Sequence, residues 1–121
     1  MDQPIDTLRH VSFCADLPEA TLRALVAIAV PLGRPAGTLI QIEGEPAEAM
    51  YIVAQGRVKI TRLAANGREQ VLHVAASGHH FNTVPIFDGG PCPANAEALT
   101  DVRLLMLPLT YLREVVESHP L

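Results

Sequence analysis

The first quarter of the chain carries apolar residues at helical spacing, on one face formed by Leu22, Leu25, Val26 and Ala29. Asp16 and Glu19 stand three positions apart, as the partners of a capping box do, and Pro18 suits a first helical turn. We expect this helix to end before Pro31, because proline disfavours helical backbone in the residue before it. An earlier short helix or turn is predicted from Leu8, Val11 and Phe13.

From Pro35 onward the pattern changes to short, partly alternating runs broken by glycine, which is typical of β-strands. The predicted strands are residues 38–43, 50–54, 57–63, 69–75 and 101–108. Asn66-Gly67 is the strongest hairpin signal, since both residues tolerate a positive φ. It is expected to join 57–63 to 69–75 as an antiparallel pair.

The two strands of this hairpin differ in their alternation. In 57–63, Val58 and Ile60 share one face, whereas Thr61 is on the other. In 69–75 apolar residues fall on both sides, so we expect both faces of that strand to be partly buried. This predicts a sandwich or a rolled barrel.

A final helix is predicted after the last strand, with an end at His119-Pro120 and an apolar face of Leu109, Leu112, Val115 and Val116. The predicted order of elements is a helix, then about eight strands with one helical turn among them, and then a second helix. Few architectures fit this order. We expect a mainly β fold with flanking helices, a jelly-roll-like β-roll or double-stranded β-helix. The chain should form one domain, with N-terminal helices in 1–30, the β-roll in 31–108 and the C-terminal helix in 109–119.

Composition limits location and partners. The 121 residues are 49% hydrophobic and 18% charged, without a charge-free apolar run long enough for a membrane span or a basic-then-apolar leader. A cytoplasmic protein without membrane contact is therefore expected. The net charge is −4 and the nine lysines and arginines are scattered, so this chain alone should not bind DNA tightly. Cys14 and Cys92 are far apart and do not suggest a disulfide framework.

Residues 78–99 have the composition of a pocket rim, with short apolar ends around a helical turn and a Gly/Pro loop. Gly89 and Gly90 give the loop backbone freedom, and Pro91 and Pro93 restrict it. Backbone N–H groups at a short helix start, next to glycines, commonly hold an anion. A phosphate-bearing ligand is the first hypothesis for this segment.

Ordered short motifs resemble the cyclic-nucleotide-binding β-roll of the Crp/Fnr family of bacterial transcription regulators over nearly the whole chain. They are Leu17-Pro18, Gly37-Thr38-Leu39-Ile40, Glu43-Gly44-Glu45-Pro46, Tyr51-Ile52-Val53 with Gly56, Val58-Lys59-Ile60, Gly67-Arg68-Glu69 and Gly78. The resemblance identifies residues 78–99 as the phosphate-binding cassette. It implies a Gly-Glu pair and, after a short helix, Arg-Ser or Arg-Thr in members that bind cyclic AMP.

The chain departs from that pattern at both charged positions of the cassette. Asn82-Thr83 stand where the Gly-Glu pair is expected, and Cys92-Pro93-Ala94 stand at the expected arginine. The cations nearest in sequence are Arg68 and Arg103. Because burying a phosphate without a cation is costly, we expect cyclic AMP and cyclic GMP to bind weakly or not at all.

The cassette remains the candidate ligand pocket, either for a small, mostly apolar effector of unknown identity or as a pocket filled by its own side chains. The candidate residues are Gly78, Phe81, Asn82, Thr83, Val84, Ile86, Phe87, Gly89, Gly90, Cys92, Pro93 and Ala94. No cofactor is expected.

Other chemistry has weaker support. His73, His79 and His80 could suggest a metal or haem site, but adjacent histidines on a strand point to opposite faces. His73 is expected at the edge of the core or in a hydrogen bond. Cys92, expected in an exposed loop, could sense redox state only with a lowered pKa. Asp88 and Glu97 have no catalytic partner beside them in sequence, so an enzyme is not expected.

The expected function is therefore a non-enzymatic, effector-sensing domain of a Crp/Fnr-type regulator. The resemblance implies a dimerisation helix and a helix-turn-helix, neither of which these residues contain, so we expect a domain cut from a longer protein. DNA binding and homodimerisation would depend on those segments. The alternatives are a stand-alone interaction module without a ligand on the same scaffold, or a haem- or metal-binding sensor.

Overall fold

The computed structural model describes residues 8, 17–82, 85 and 88–118. Its helices are α1, Glu19–Ile28, and α2, Leu109–Ser118. Its strands are β1 Val30–Arg34, β2 Leu39–Gln41, β3 Ala49–Gln55, β4 Val58–Leu63, β5 Glu69–Ala75, β6 His80–Phe81, β7 Asn95–Ala98 and β8 Val102–Pro108. Among these helices none is long and apolar enough to cross a membrane.

The strands form two four-stranded sheets, which confirms the predicted β-roll with flanking helices. One sheet has the order β1-β8-β3-β6 and the other β2-β7-β4-β5, and all strand pairs are antiparallel. Strand β1 was not predicted, although it pairs with β8 along its whole length. Four of its five residues are exposed, as expected at a sheet edge, so it lacks the alternation that would reveal it.

The β1-β8-β3-β6 sheet is covered on both faces, because its central strands β3 and β8 alternate between two apolar clusters. Met50, Ile52 and Leu105 pack toward the helices, together with buried residues of α1 and α2. Val53 and Leu104 pack toward the other sheet. Residues of the helix-side cluster are Leu8, Leu22, Leu25, Met50, Ile52, Leu105, Leu107, Leu109, Leu112 and Val115. This confirms the predicted apolar faces of both helices.

The start of α1 differs from the prediction. Pro18 is the N-cap rather than a first-turn residue, and no side chain caps the helix. The carbonyl of Pro18 accepts hydrogen bonds from the backbone N–H groups of Thr21 at 3.0 Å and Leu22 at 3.1 Å. Asp16, the other half of the predicted capping box, lies outside the described residues, as do Val11 and Phe13 of the predicted N-terminal turn and His119-Pro120 at the predicted helix end.

The β4–β5 hairpin is present, with Leu63 paired to Glu69 and Val58 to Ala75. Gly67 takes a positive φ of 82°, whereas Asn66 does not and instead accepts a hydrogen bond on Oδ1 from the Arg68 N–H at 3.0 Å. The turn therefore needs the glycine for its backbone and the asparagine for its side chain.

Thr61 was predicted on the face opposite to Val58 and Ile60, and it is buried, with 3% exposure. The β4–β5 ladder shifts register between Ile60, which pairs with His73, and Thr61, which pairs with Val71, so Leu72 is the extra residue of a β-bulge on β5. Strand β4 itself keeps a continuous register with β7 through Thr61. Alternation along β4 therefore does not predict the burial of Thr61.

Strand β5 also contradicts the sequence-based prediction, because its faces are not partly buried. Every residue except Ala75 is exposed, including Val71 at 53% and Leu72 at 45%. His73, expected at the edge of the core, is exposed as well. Strand β5 is the outermost strand of its sheet, and its side chains up to Val74 are uncovered on both faces.

Candidate functional site

The cassette, residues 78–99, begins on a turn that is bound firmly to β3. Gly78 has a φ of 89° and donates its N–H to the Val53 carbonyl at 2.8 Å, while the Val53 N–H donates to the His79 carbonyl at 2.9 Å. The Ser77 hydroxyl donates to the Ala54 carbonyl at 2.9 Å. The start of the cassette is thus positioned by backbone contacts, and the positive φ explains the glycine at 78.

Phe81 anchors the cassette to the interior of the roll. It pairs with Tyr51 of β3, and the two rings stack with centroids 5.1 Å apart and an interplanar angle of 20°. Phe81 is buried, at 6% exposure. Burial raises the pKa of Tyr51, with Glu48 adding to the effect, so the phenol stays neutral and suits an apolar site.

Asn82, which follows Phe81, has a φ of 70° and is the one non-glycine residue with a positive φ in the described ranges. Asparagine tolerates this left-handed region better than most residues, and glycine tolerates it best. The family resemblance implies glycine at this position. The backbone shape expected of the family is therefore retained, with a side chain added to it.

That side chain is buried, at 5% exposure, and makes hydrogen bonds inside the roll. Gln41 Nε2 donates to Asn82 Oδ1 at 2.8 Å, and Asn82 Nδ2 donates in return to Gln41 Oε1. Asn82 Nδ2 also donates to the Ala49 carbonyl at 3.1 Å. Two neutral amides consequently meet one residue before position 83, where the resemblance implies a carboxylate.

Gln41 was missed by the sequence analysis. It ends β2, follows the apolar pair Leu39 and Ile40, and donates from Nε2 to the Ala94 carbonyl at 3.0 Å as well as to Asn82. The available signal was an amide at the end of a short apolar strand. Its partners lie 41 and 53 residues away in sequence, so periodicity could not identify them.

The end of the cassette is held by the loop after β2. The Gly44 N–H donates to the Cys92 carbonyl at 2.9 Å, and the Cys92 N–H donates to the Glu45 carbonyl at 2.9 Å. Pro46 and Pro91 form an isolated antiparallel bridge. These contacts give the Pro/Gly loop a defined backbone position.

Cys92 is buried, at 5% exposure, so the expectation of an exposed thiol is wrong. Its Sγ lies 3.9 Å from Asn82 Nδ2 and 3.9 Å from the Pro46 carbonyl oxygen. Burial raises the pKa of Cys92, and Glu45 adds to this rise, while the Asn82 contact opposes it. The neutral thiol is favoured, which removes the lowered pKa that a redox sensor requires.

The structure brings a cation to the cassette that sequence proximity did not indicate. Arg113 of α2 donates from Nη2 to the Pro85 carbonyl at 3.1 Å, and Pro85 also accepts from the Gly89 N–H at 3.1 Å. A Cβ atom built on Gly89 would lie 4.0 Å from the same guanidinium nitrogen. Pro85 and Asp88 have helical backbone, in the segment where a helical turn was predicted. Arg113 therefore supports this turn and links the cassette to α2.

The remaining candidate pocket residues that the structure describes lie in the loop between the helical turn and β7. Gly89 has a φ of 67°, and the Gly90 N–H donates to Asp88 Oδ1 at 2.7 Å. Ala94 is buried and Pro93 is exposed. The predicted pocket residues that lie outside the described residues are Thr83, Val84, Ile86 and Phe87.

The histidines do not form a metal site in the part of the chain that the structure describes, where no group of three or more His, Cys, Asp or Glu side chains could hold an ion. His79 accepts a hydrogen bond on Nδ1 from the Ala76 N–H at 2.9 Å. Burial lowers the pKa of His80, and His79 adds to this. His79 is thus accounted for by a backbone contact at the start of the cassette.

Comparison with known proteins places this geometry in a family. Residues 34–119 match the cyclic nucleotide-binding domain family. A CRP-like cAMP-activated global transcriptional regulator of Mycobacterium tuberculosis is 34% identical over 101 residues, which are 84% of this chain and 45% of that protein. The chain thus spans about half the length of the curated relatives it matches.

Solved structures agree with the sequence match. The N-terminal domain of a transcriptional regulator from Streptomyces coelicolor A3(2) is 31% identical with a TM-score of 0.83, covering 95% of this chain and 80% of that one. The sensor domain of the transcriptional regulator DNR from Pseudomonas aeruginosa is 25% identical with a TM-score of 0.81. The match covers 94% of this chain and 77% of that one. The sequence-based resemblance is confirmed: this chain belongs to the cyclic nucleotide-binding domain family, and CRP-like bacterial transcription regulators are among its relatives.

Proposed function

We propose that this chain is the effector-sensing regulatory domain of a CRP-like transcription regulator, and that its cassette binds neither cyclic AMP nor cyclic GMP. The relatives support the regulatory role, since they include a cAMP-activated regulator and the sensor or N-terminal domains of two other regulators. The neutral chemistry of the cassette supports the second part. The role is binding and signalling rather than catalysis.

The observation that carries the proposal is the buried amide pair of Gln41 and Asn82. A cyclic nucleotide brings a charged phosphate, and moving that charge out of water needs cationic or strongly donating partners. At the start of the cassette the Asn82 amide is already bonded to Gln41 and Ala49. At its end, Cys92 presents a neutral thiol and its N–H is bonded to Glu45.

Arg113 does not supply the missing charge in this arrangement. Its guanidinium donates to the backbone carbonyl of Pro85, so it supports the turn and extends from α2 rather than from the loop end where the arginine was expected. A ligand without a phosphate is the better match to a site built from Phe81, Tyr51 and two side-chain amides.

A thermal-shift titration tests the proposal. Cyclic AMP, cyclic GMP and AMP are added to this chain and, as the positive control, to the Mycobacterium tuberculosis regulator. A ligand at ~100-fold above its Kd adds about 2.7 kcal/mol of stability. We expect no shift of the unfolding temperature for this chain with any of the three and a shift of the control with cyclic AMP.

The test has an internal gain-of-function arm. Introducing the residues implied by the resemblance, in the quadruple variant Asn82→Gly, Thr83→Glu, Pro93→Arg and Ala94→Ser, should produce a shift with cyclic AMP. A saturable shift of the unaltered chain by cyclic AMP or cyclic GMP would contradict the proposal.

A further inference from the structure

Gln41 contacts both ends of the cassette with a single nitrogen. Nε2 donates to Asn82 Oδ1 at 2.8 Å, directly after β6, and to the Ala94 carbonyl at 3.0 Å, directly before β7. The whole helical turn and the Pro/Gly loop lie between those two residues. One side chain from β2 therefore closes the base of the loop.

The hydrogen-bonding capacity of the two amide nitrogens is fully used in this arrangement. Each side-chain amide nitrogen carries two protons. Those of Gln41 go to Asn82 Oδ1 and the Ala94 carbonyl, and those of Asn82 go to Gln41 Oε1 and the Ala49 carbonyl, with Cys92 Sγ at 3.9 Å as a third, weaker acceptor for the Asn82 nitrogen. No buried side-chain nitrogen or oxygen lacks a partner among the described residues. The pair is thus a closed network that needs no further donor or acceptor.

The backbone supports the same arrangement. Asn82 holds a φ of 70°, and its side chain has 5% exposure. A buried amide that lost its partners would bear the cost of desolvation without compensation. Opening the cassette away from β2 would break the bonds from Gln41 to both ends, so the network favours the closed position.

We propose that Gln41 and Asn82 form an intramolecular clasp that holds the cassette closed without a ligand, at the position where a bound ligand would otherwise join its two ends. This inference rests on the proposed function, in which no cyclic nucleotide occupies the site. An effector that acts on this domain must then break or replace the clasp. Its polar part would have to offer both a donor and an acceptor to Gln41 and to Asn82, as a carboxamide or lactam does.

Hydrogen exchange measured by mass spectrometry tests the clasp without any nucleotide. The variants are Gln41→Ala and Asn82→Gly, the latter keeping the positive φ free of strain while removing the amide. Gln70→Ala, on exposed β5, is the matched control. We expect exchange in peptides covering residues 88–94 to become about tenfold faster in both variants, as the loss of one to two buried hydrogen bonds predicts, with no change in the control.

Global destabilisation is separated from local opening by the peptides of β8. If Gln41→Ala accelerates exchange in β8 as much as in residues 88–94, it is replaced by Gln41→Met, which keeps the length of the side chain. The double variant of Gln41→Ala with Asn82→Gly should exchange more slowly than the product of the two single effects predicts, since the two substitutions share the Gln41–Asn82 contact and each removes only one further bond, to Ala94 or to Ala49. The clasp would be overturned if both single variants exchanged in residues 88–94 at the rate of the unaltered chain. It would also be overturned if Gln70→Ala accelerated exchange there to the same degree.

Failure of the clasp and failure of the proposed function give different results. The exchange experiment contains no ligand, so its outcome does not depend on nucleotide binding. Cyclic AMP binding to the unaltered chain would refute the proposed function alone. Unchanged exchange with no cyclic AMP binding would refute the clasp alone.

Discussion

The cassette and strand β5 distribute polar and apolar side chains in opposite ways. The cassette buries the amide of Asn82 and the thiol of Cys92, whereas β5 exposes Val71 and Leu72. Both segments contain apolar residues, and the cassette also contains the loop signals that usually mark a surface. The difference shows that position in the fold, rather than residue type, decides burial here. The cassette lies between β3, β2 and α2, while β5 is the outermost strand of its sheet.

The largest expected effect on stability comes from removing an aromatic ring from the cassette. Phe81→Ala should lower the free energy of unfolding by about 3 to 5 kcal/mol, because it removes a buried ring and the stacking contact of that ring with Tyr51. This loss of stability is measured by chemical denaturation, with circular dichroism as the probe of unfolding. Leu72→Ala on β5 is the control and should change stability by at most about 0.5 kcal/mol. Equal losses in the two variants would mean that β5 is buried in solution.

An intermediate effect is expected from the contact between α2 and the cassette. Arg113→Met should lower stability by about 1 kcal/mol, the usual net value of one hydrogen bond, because the Pro85 carbonyl loses its guanidinium donor. It should also speed hydrogen exchange around residues 88–90. Arg23→Met on α1, where the side chain is 73% exposed and pairs with Glu19, is the matched control and should change stability by at most about 0.5 kcal/mol, the usual value of an exposed ion pair. No difference between the two arginine variants would remove Arg113 from the support of the cassette.

The smallest effect on stability concerns the Cys92 thiol and depends on pH. Burial raises its pKa, so folding favours the neutral thiol. The contribution to stability is present below the unfolded pKa of about 8.5 and is lost as the pH rises through the folded value. Peptide-resolved alkylation, which separates Cys92 from Cys14, should be slower at pH 7 in the folded protein than in urea. Equal rates would show that the loop exposes the thiol.

Periodicity predicted the parts of the fold whose pattern is local. The apolar faces of α1 and α2, the β4–β5 hairpin and the buried strand β8 all follow from residues close in sequence. Strand β1 was missed because an edge strand shows little alternation. Thr61 is buried although alternation along β4 places it opposite to Val58 and Ile60, and the bulge at Leu72 interrupts the period of β5.

The candidate site was predicted in part. The sequence identified the segment and its neutral residues, including Asn82 and Cys92, because the departures from the family pattern are visible in single positions. It missed Gln41 and Arg113, which reach the cassette from β2 and α2. It also placed Cys92 in an exposed loop, because the flanking prolines gave no indication of the loop after β2 that covers it.

The sequence by itself determined the β-roll and the chemical character of the cassette, since glycine spacing, apolar periods and the identities of Asn82 and Cys92 are properties of the chain. Only the tertiary structure decided which groups meet. Gln41 reaches Asn82 and Ala94 across 41 and 53 residues, and β5 is exposed because no other element covers its two faces. Hydrogen-bond partners and burial depend on distances in space, which the packing of the two sheets and α2 fixes after the local elements form.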